Sequence, residues 1–226
     1  MNFKLFFLLL IFVFSFNELS AQRHFNLFLS NGISVSTMKH DNTITDDFDM
    51  NPVVGFSGFL GQEIVLKDRF IFQNRTGFVQ KGNWFNLDYA DIYGNIFYSE
   101  KVTERINYFS EIITFGFDFL KNEKHNLSFH LGFRGDFYLD DLTTVTNSLN
   151  GKQSFKSYEE SNKFIYGFSE MISYEYSLNR FQIGVETIFN QNINKIKNKI
   201  SETSGADIQD YTGMVLLKFS YRLISK

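Results

Sequence analysis

The sequence contains no cysteine, and that absence removes several classes of protein from consideration. Neither a disulfide framework nor thiolate chemistry is available to the chain. Proline is nearly absent as well, at one residue in 226, so few positions interrupt the pairing of extended strands. A folded domain must therefore be stabilised by backbone pairing and side-chain packing alone.

The chain also lacks a strong charge of one sign and a second long apolar run. Its 22 lysines and arginines nearly balance 25 acidic residues, which gives a formal net charge of −3. A nucleic-acid partner would need a clustered basic face, so none is expected. After residue 21, no segment approaches the ~20 apolar residues of a membrane-spanning helix.

The N-terminal segment has the three parts of a secretory signal peptide. Lys4 gives a short positive start, residues 5–16 form an almost continuous apolar run, and a more polar stretch ends at Ala21. The apolar run is shorter than the ~20 residues of a spanning helix. We therefore predict export with cleavage after Ala21, so that residues 1–21 are a signal peptide and 22–226 are one domain.

The remaining chain is rich in aromatic residues, and they recur with a period of two. Aromatic residues make up 18% of the sequence, including 29 phenylalanines. Residues 126–139 show the pattern most clearly. One parity there carries Leu127, Phe129, Leu131, Phe133, Phe137 and Leu139. The other parity is polar, charged or small, and a helix of period 3.6 would scatter the apolar residues around its circumference. The segment is predicted to be a strand with one apolar face.

Eight segments of this kind predict an all-β fold. They are residues 24–36, 52–65, 70–81, 113–119, 126–139, 162–178, 181–189 and 211–223. Short connections at 66–69, 121–125 and 178–180 alternate with long polar ones at 37–51, 84–104, 140–161 and 191–208. This alternation is typical of an eight-stranded antiparallel up-and-down transmembrane β-barrel with short periplasmic turns and long extracellular loops. Ten strands remain an alternative.

Periodicity alone does not say which face meets lipid, because a soluble barrel also alternates. The lumen of an eight-stranded barrel is only wide enough to be filled by side chains. Small residues and opposite charges, such as Arg134 with Asp136 or Asp118 with Lys218, suit that space better than rows of phenylalanine. Tyrosines near the strand ends suggest the aromatic girdles of membrane barrels. They are Tyr108, Tyr138, Tyr166, Tyr174, Tyr176, Tyr211 and Tyr221.

Two acidic residues do not fit the apolar parity of their strands. Glu111 shares the parity of Ile113, and Glu170 shares the parity of Phe168 and Ile172. Either these side chains lie near a membrane interface or a β-bulge shifts the parity locally.

Several landmarks of the chain resemble the PorT-like outer-membrane β-barrel proteins. The landmarks are Thr76–Gly82, Ile106–Ile112 and Leu131–Phe133, together with the Ala21–Gln22 junction. The resemblance implies an eight-stranded barrel, and the named member of that family contributes to a protein-secretion system. Ile113 stands where the family usually has proline, and the final strand lacks a terminal aromatic residue. A secretion role is therefore not transferred to this chain.

The candidate functional residues form a predicted lumen-facing polar cluster. Its members are Arg75, Asp118, His130, Arg134, Asp136, Glu186, Lys218 and Arg222. His130 is either a proton shuttle or one member of a packed interior, and we favour packing because no nucleophile is evident beside it. We predict no catalytic, metal or cofactor residue. The polar interior also leaves a conducting pore as an alternative to a plugged barrel.

The long loops are the other candidate sites. His40 and Asp41, with Asp46, Asp47 and Asp49, form an acidic stretch without the residue order of a calcium loop. The 84–104 loop is rich in aromatics, with a turn signal at 93–95, so its flanking strands can extend as a hairpin. We predict a non-enzymatic outer-membrane barrel with a structural, binding or envelope/secretion-assembly role, surrounded by lipid and contacting an envelope protein through its outer loops. A solute pore, a barrel enzyme and a soluble periplasmic barrel for an apolar ligand are the alternatives.

Overall fold

The computed structural model describes residues 24–41, 51–66, 69–94, 96–147, 151–156, 164–194, 196–197 and 207–225. The predicted signal peptide and its cleavage after Ala21 lie outside these residues and stay predictions. Ten strands follow in chain order. They are β1 (His24–Asp41), β2 (Asn51–Leu66), β3 (Phe70–Ala90), β4 (Ile96–Lys121), β5 (His125–Asn147), β6 (Gly151–Phe155), β7 (Phe164–Leu178), β8 (Phe181–Asn192), β9 (Ile196–Lys197) and β10 (Asp207–Ser225). Within these ranges, no helix is long and apolar enough to cross a membrane.

Eight long strands close into a ring in the order β1-β2-β3-β4-β5-β7-β8-β10, and β10 pairs with β1. Every neighbouring pair is antiparallel. The predicted eight-stranded antiparallel barrel is confirmed. Two short strands in predicted loops bring the sheet to ten strands: β6 pairs with β5, and β9 pairs with β10. Closure matters because it leaves the ring without an unpaired edge.

The hydrogen-bond register shows that the strands are strongly staggered. Following paired residues once around the ring from Leu27 leads back to Thr37, ten residues further along the same strand. A closed sheet needs such a stagger because its strands tilt against the barrel axis. Side chains far apart in sequence are thereby brought to the same depth inside the lumen.

Side-chain burial alternates along the strands with the polar side inside. In β10, Leu216 and Lys218 are buried in the lumen, whereas Leu217 is 52% exposed on the outer surface. Strands β7 and β8 alternate between exposed and buried residues over nearly their whole length. The outer surface is consequently a belt of mostly large apolar side chains around the barrel.

Strand pairing continues beyond the predicted ends of several strands. β3 runs to Ala90, β4 begins at Ile96 and β5 runs to Asn147, so much of the predicted loops at 84–104 and 140–161 is sheet. The predicted strands end where the regular apolar alternation stops. Beyond the apolar belt, polar side chains can face water on both sides of a paired ladder, so the pattern fades while the hydrogen bonds persist.

Several aromatic side chains of the described strands point inward, against the expectation of a lumen without large rings. Phe28 and Phe59 are buried in the lumen, which explains why the alternation of β1 and β2 is weak in the sequence. Tyr108 and Tyr138 were assigned to an outer girdle, and that prediction is wrong for both. The Tyr108 ring is buried against Ile165, and the partly buried Tyr138 ring packs on it from the paired strand. Tyr108 shares the inward parity of Ser110, and Tyr138 shares that of Asp136.

Candidate functional site

Two groups of charged side chains occupy the lumen at different depths. The group nearer the short turns, here named the short-turn cluster, consists of Arg75, Lys218, Glu63, Glu175 and Glu186. The group nearer the long connections, the long-loop cluster, consists of Lys81, Arg134, Asp136 and Asp210. All nine side chains are buried, although a buried charge is costly unless it is paired.

The short-turn cluster is built around one arginine and one lysine. Arg75 donates two hydrogen bonds to Glu186, from Nη1 to Oε2 at 2.7 Å and from Nη2 to Oε1 at 2.9 Å. Lys218 Nζ lies 2.8 Å from Glu63 Oε2 and 2.6 Å from Glu175 Oε1. Both cations also approach the ring of Phe28, at 5.0 Å for the guanidinium and 4.5 Å for the ammonium. The inward Phe28 ring thus makes a cation–π contact with each of the two cations.

The long-loop cluster is a four-membered network of two cations and two carboxylates. Lys81 Nζ lies 2.5 Å from Asp136 Oδ2 and 2.7 Å from Asp210 Oδ2. Arg134 lies 3.0 Å from Asp136 Oδ2 and 2.8 Å from Asp210 Oδ2. Each carboxylate also accepts a hydroxyl hydrogen bond, from Ser110 and Thr212 respectively. Each charge therefore has two partners of the opposite sign.

An apolar layer separates the two clusters. It consists of Phe59, Val79, Ile112, Met171, Ile188, Met214 and Leu216. Along β3 the order inside the lumen is Arg75, Val79 and Lys81, and along β10 it is Asp210, Met214, Leu216 and Lys218. Because these apolar side chains are almost fully buried, the middle of the barrel is a packed apolar core.

The structure places the predicted lumen residues as follows. Seven of them, all except Arg222, are buried inside the barrel, and Arg222 is half-buried near the short-turn end. The pairing of Arg134 with Asp136 is observed, but the suggested pairing of Asp118 with Lys218 is wrong. Asp118 lies 3.5 Å from Lys121 instead, at the rim of the barrel. Whether these residues have a functional role is still a prediction.

His130 has a neighbour that the sequence analysis missed. Ser128 Oγ lies 2.7 Å from His130 Nε2, so the statement that no nucleophile accompanies this histidine is wrong. A working dyad also needs a group that orients the histidine and room for a substrate. His130 Nδ1 has no hydrogen-bond partner and lies against Gly116, where an added Cβ would come within 2.3 Å of it. The nearby cavity, lined in part by Ser128, has a volume of about 20 Å³, enough for about one water.

The acidic first loop was the other candidate for chemistry. His40 and Asp41 end strand β1, and residues 42–50, with Asp46, Asp47 and Asp49, lie outside the described residues. In the part of the chain that the structure describes, no three histidine or acidic side chains group as metal ligands do. A role for this loop is therefore untested.

A four-stranded sheet extends beyond the barrel from one side of its rim. This protruding sheet consists of residues 84–90, 96–104, 140–147 and β6. The face on the lumen side carries apolar residues. They include Phe85, Leu87, Tyr89, Tyr98, Val102 and Val145. The opposite face is polar, with Lys101 Nζ placed 3.9 Å from the Trp84 ring centre.

Hydrogen bonds fix the outer part of this sheet. Glu100 accepts bonds from the hydroxyls of Tyr98 at 2.6 Å and Tyr89 at 3.2 Å. The bond from Tyr98 lowers the pKa of Glu100, and partial burial of the Tyr98 ring, with this bond, raises the pKa of Tyr98 to about 12. At neutral pH the pair therefore stays a charged acceptor and a neutral donor.

The tip of the protruding sheet is a tight turn that exposes large apolar side chains. Asp91 organises it, since its carbonyl accepts from Gly94 N at 3.0 Å and its carboxylate accepts from Tyr93 N at 2.9 Å. Gly94 has a φ of 83°, in the left-handed region that glycine adopts readily. Ile92 and Tyr93 are 91% and 83% exposed. Ile92 and Tyr93 are thus the most exposed large apolar side chains among the described residues.

The arrangement of the whole molecule defines its class. Two clusters of paired charges and the apolar layer between them fill the interior, and large apolar side chains cover the outside. A soluble barrel for an apolar ligand would need the reverse. A polar filled lumen inside an apolar belt, closed by antiparallel strands, is the architecture of a transmembrane β-barrel.

Comparisons with known proteins find similarity among solved structures alone. No family model and no curated protein matches the sequence. Among solved structures, Ail of Yersinia pestis is 13% identical with a TM-score of 0.40, over 87% of this chain and 99% of Ail. OprG of Pseudomonas aeruginosa is 9% identical with a TM-score of 0.47, over 91% of this chain and 99% of OprG. Neisserial surface protein A is 12% identical with a TM-score of 0.42, over 86% of this chain and 96% of the neisserial protein. Similarity at this level does not bear on a shared role.

Proposed function

We propose that the protein is an integral outer-membrane β-barrel that holds a recognition surface outside the membrane and has no enzymatic activity. The observation that carries the proposal is the protruding sheet with its fixed, apolar tip. The packed lumen supports it, because side chains that fill the barrel leave little room for a substrate or a solute path. Affiliation with the PorT-like proteins and a secretion role are not needed for this proposal.

Placement in the outer membrane is supported by the belt and by the connections. Closed barrels span membranes because every backbone polar group is paired within the sheet. The short turns lie at one end of the barrel and the protruding sheet at the other, as expected for periplasmic turns and extracellular extensions. The N-terminal segment adds an export signal in the sequence. Lipid of the outer membrane is then the first partner of the belt.

The second partner that we infer is a protein of the cell envelope that binds the tip. Aromatic and large aliphatic side chains at the centre of an interface commonly provide most of its binding energy. Ile92, Tyr93 and Ile96 form such a group, and each is exposed. Asp88 and Asp91 flank the tip, so a partner with an apolar pocket and a basic rim would complement it.

The double substitution Ile92→Ser with Tyr93→Ser tests this binding role. We expect the amount of protein that copurifies with tagged barrel from gently solubilised membranes to fall about tenfold or more, because hot-spot truncations cost about 2 kcal/mol or more. The heat-dependent mobility shift of the folded barrel should not change, because both side chains are exposed outside the ring. Quantitative mass spectrometry of the purified material measures the change.

Ile193→Ser is the matched control, since Ile193 is 48% exposed just past the end of β8, away from the tip. Its copurifying proteins should match those of the unaltered chain. Recovery of the barrel alone from the unaltered chain, or equal recovery from both variants, would contradict the binding role.

A conducting pore, the alternative function, is tested by measuring conductance. Both charged clusters and the apolar layer would have to be displaced before a hydrated path opened through the lumen. We therefore expect purified protein in planar bilayers at neutral pH to show no steady single-channel conductance. Stable conductance steps that scale with salt concentration would overturn the closed barrel and favour the pore.

A further inference from the structure

Glu170 is a carboxylic acid at the middle of the apolar belt. It points outward from the centre of β7 and is exposed. Three outward residues precede it (Phe164, Tyr166 and Phe168), and three follow it (Ile172, Tyr174 and Tyr176). The six residues on either side, at about 3.3 Å each and tilted by about 40°, span about 15 Å along the membrane normal. Half the hydrocarbon thickness is also about 15 Å, which places Glu170 near mid-bilayer.

Neither explanation offered from the sequence accounts for this residue. Glu170 is not near an interface, and the pairings of β7 with β5 and β8 continue without a register shift. The second outward acid, Glu111, differs because it is half-buried and hydrogen-bonded by the Asn74 side chain. Glu170 has no hydrogen-bond or ion-pair partner within the described ranges. Its hydrogen-bonding capacity cannot be satisfied by lipid tails.

The surface beside Glu170 is indented. A groove of about 380 Å³ crosses the outer face of β7, β8 and β10, and Glu170 forms part of its wall. The groove exists because small side chains, Thr187 and Gly213, stand where the neighbouring rows have larger ones, and Phe129 and Ile33 close its ends. Small residues at a membrane interface allow another backbone to approach closely.

We propose that this groove is a lateral docking site for a membrane-spanning protein that places a hydrogen-bond donor or basic side chain against Glu170. The depth selects this occupant, because lipid headgroups lie at the interfaces and a lipid tail offers no donor at mid-bilayer. An ionisable group at this depth is unfavourable without a partner and is commonly kept for function. The inference rests on the proposed membrane placement but not on the tip.

Site-specific photocross-linking in native membranes tests the docking site. A photoreactive residue at Thr187, in the groove, should give a protein adduct of one discrete mass. The same residue at Leu60, on the opposite wall of the ring, is the control and should not give it. Glu170→Leu should lower the adduct yield about three- to twentyfold, the range expected for losing one side-chain hydrogen bond between membrane-embedded segments. Glu170→Gln, which still bonds, should retain most of it.

The outcomes separate this site from the rest of the proposed function. An adduct of twice the chain mass would mean that a second copy occupies the groove, and an adduct with lipid only would mean that no protein does. Either result overturns the docking site, as does an equal yield from Glu170→Leu and Glu170→Gln. If instead the protein fractionates as a soluble species without detergent, the membrane placement itself fails. Loss of the tip partner in the Ile92 and Tyr93 variant should leave the groove adduct unchanged.

Discussion

Replacing Asp210 by asparagine is expected to destabilise the barrel by about 3–5 kcal/mol. Asparagine keeps the volume of the side chain but removes its charge. Lys81 and Arg134 then share the single carboxylate of Asp136 in a buried environment, and an uncompensated buried cation is the costly product of breaking such a pair. Urea unfolding of the protein in lipid vesicles, followed by the heat-dependent mobility shift, measures the loss in free energy of unfolding.

Two variants check the cause of that loss. Asp140 also pairs with a lysine, Lys156 at 3.6 Å, but both side chains are about half exposed, so Asp140→Asn should change stability by about 1 kcal/mol or less. Adding Lys81→Met to Asp210→Asn removes the unpaired charge and should recover part of the stability. If Asp210→Asn is no worse than Asp140→Asn, the long-loop cluster does not stabilise the barrel.

The sequence reveals the barrel because the apolar face is an outer one. Along residues 126–139 every outward position except Gly135 carries a large apolar side chain, so the period of two is nearly complete. The inner face is under no such rule. Phe28 and Phe59 share the lumen with charged residues, and this mixing weakens the pattern in β1 and β2.

The residues that form each charged cluster were harder to predict from the sequence than the strands. Parity alone places Arg75, Lys81, Glu186 and Lys218 inside. Which of them meet depends on the ten-residue stagger of the ring, because Lys81 contacts Asp210 from a distance of 129 residues in the chain. Without the register, Asp118 was paired with the wrong lysine.

Asp210 and Glu175 were missed for a related reason. Asp210 stands just after the predicted loop at 191–208, yet its parity matches that of Thr212 and Lys218, and this signal was available. Glu175 falls in a segment whose alternation looked weak, although its parity matches the buried Ser173. If the alternation of each strand had been extended into its polar ends, both residues would have been assigned to the lumen.

In the aromatic 84–104 segment the local structure was predicted correctly, but the pairing with distant strands was not. Its turn signal at Gly94 was correct, and its flanking strands do continue as a hairpin. The addition of β5 and β6 to that hairpin depends on pairings between segments that are distant in sequence. No local pattern marks them, because residues 140–147 and β6 carry polar side chains on both faces.

Replacing Leu217 by arginine is the second substitution with a large expected effect, and it tests the membrane placement. Leu217 lies on the outer face of β10 with apolar outward residues on both sides, from Val215 to Phe219. If that face meets the centre of a bilayer, an arginine there should cost about 2–4 kcal/mol of unfolding free energy. If the face meets water, the same change should be nearly neutral.

A depth series makes the result specific. Leu223→Arg carries the same change on the same face of the same strand, near the short-turn end, and should cost about 1 kcal/mol or less because arginine can reach the interface there. Leu216→Ala, one residue from Leu217 and fully buried in the lumen, should cost about 2–5 kcal/mol by opening a cavity, whatever surrounds the barrel. A bilayer at the belt predicts a large loss at Leu217 and at Leu216 but not at Leu223. Equal, small effects of arginine at both outer positions would instead mean that the apolar belt is covered by something other than lipid.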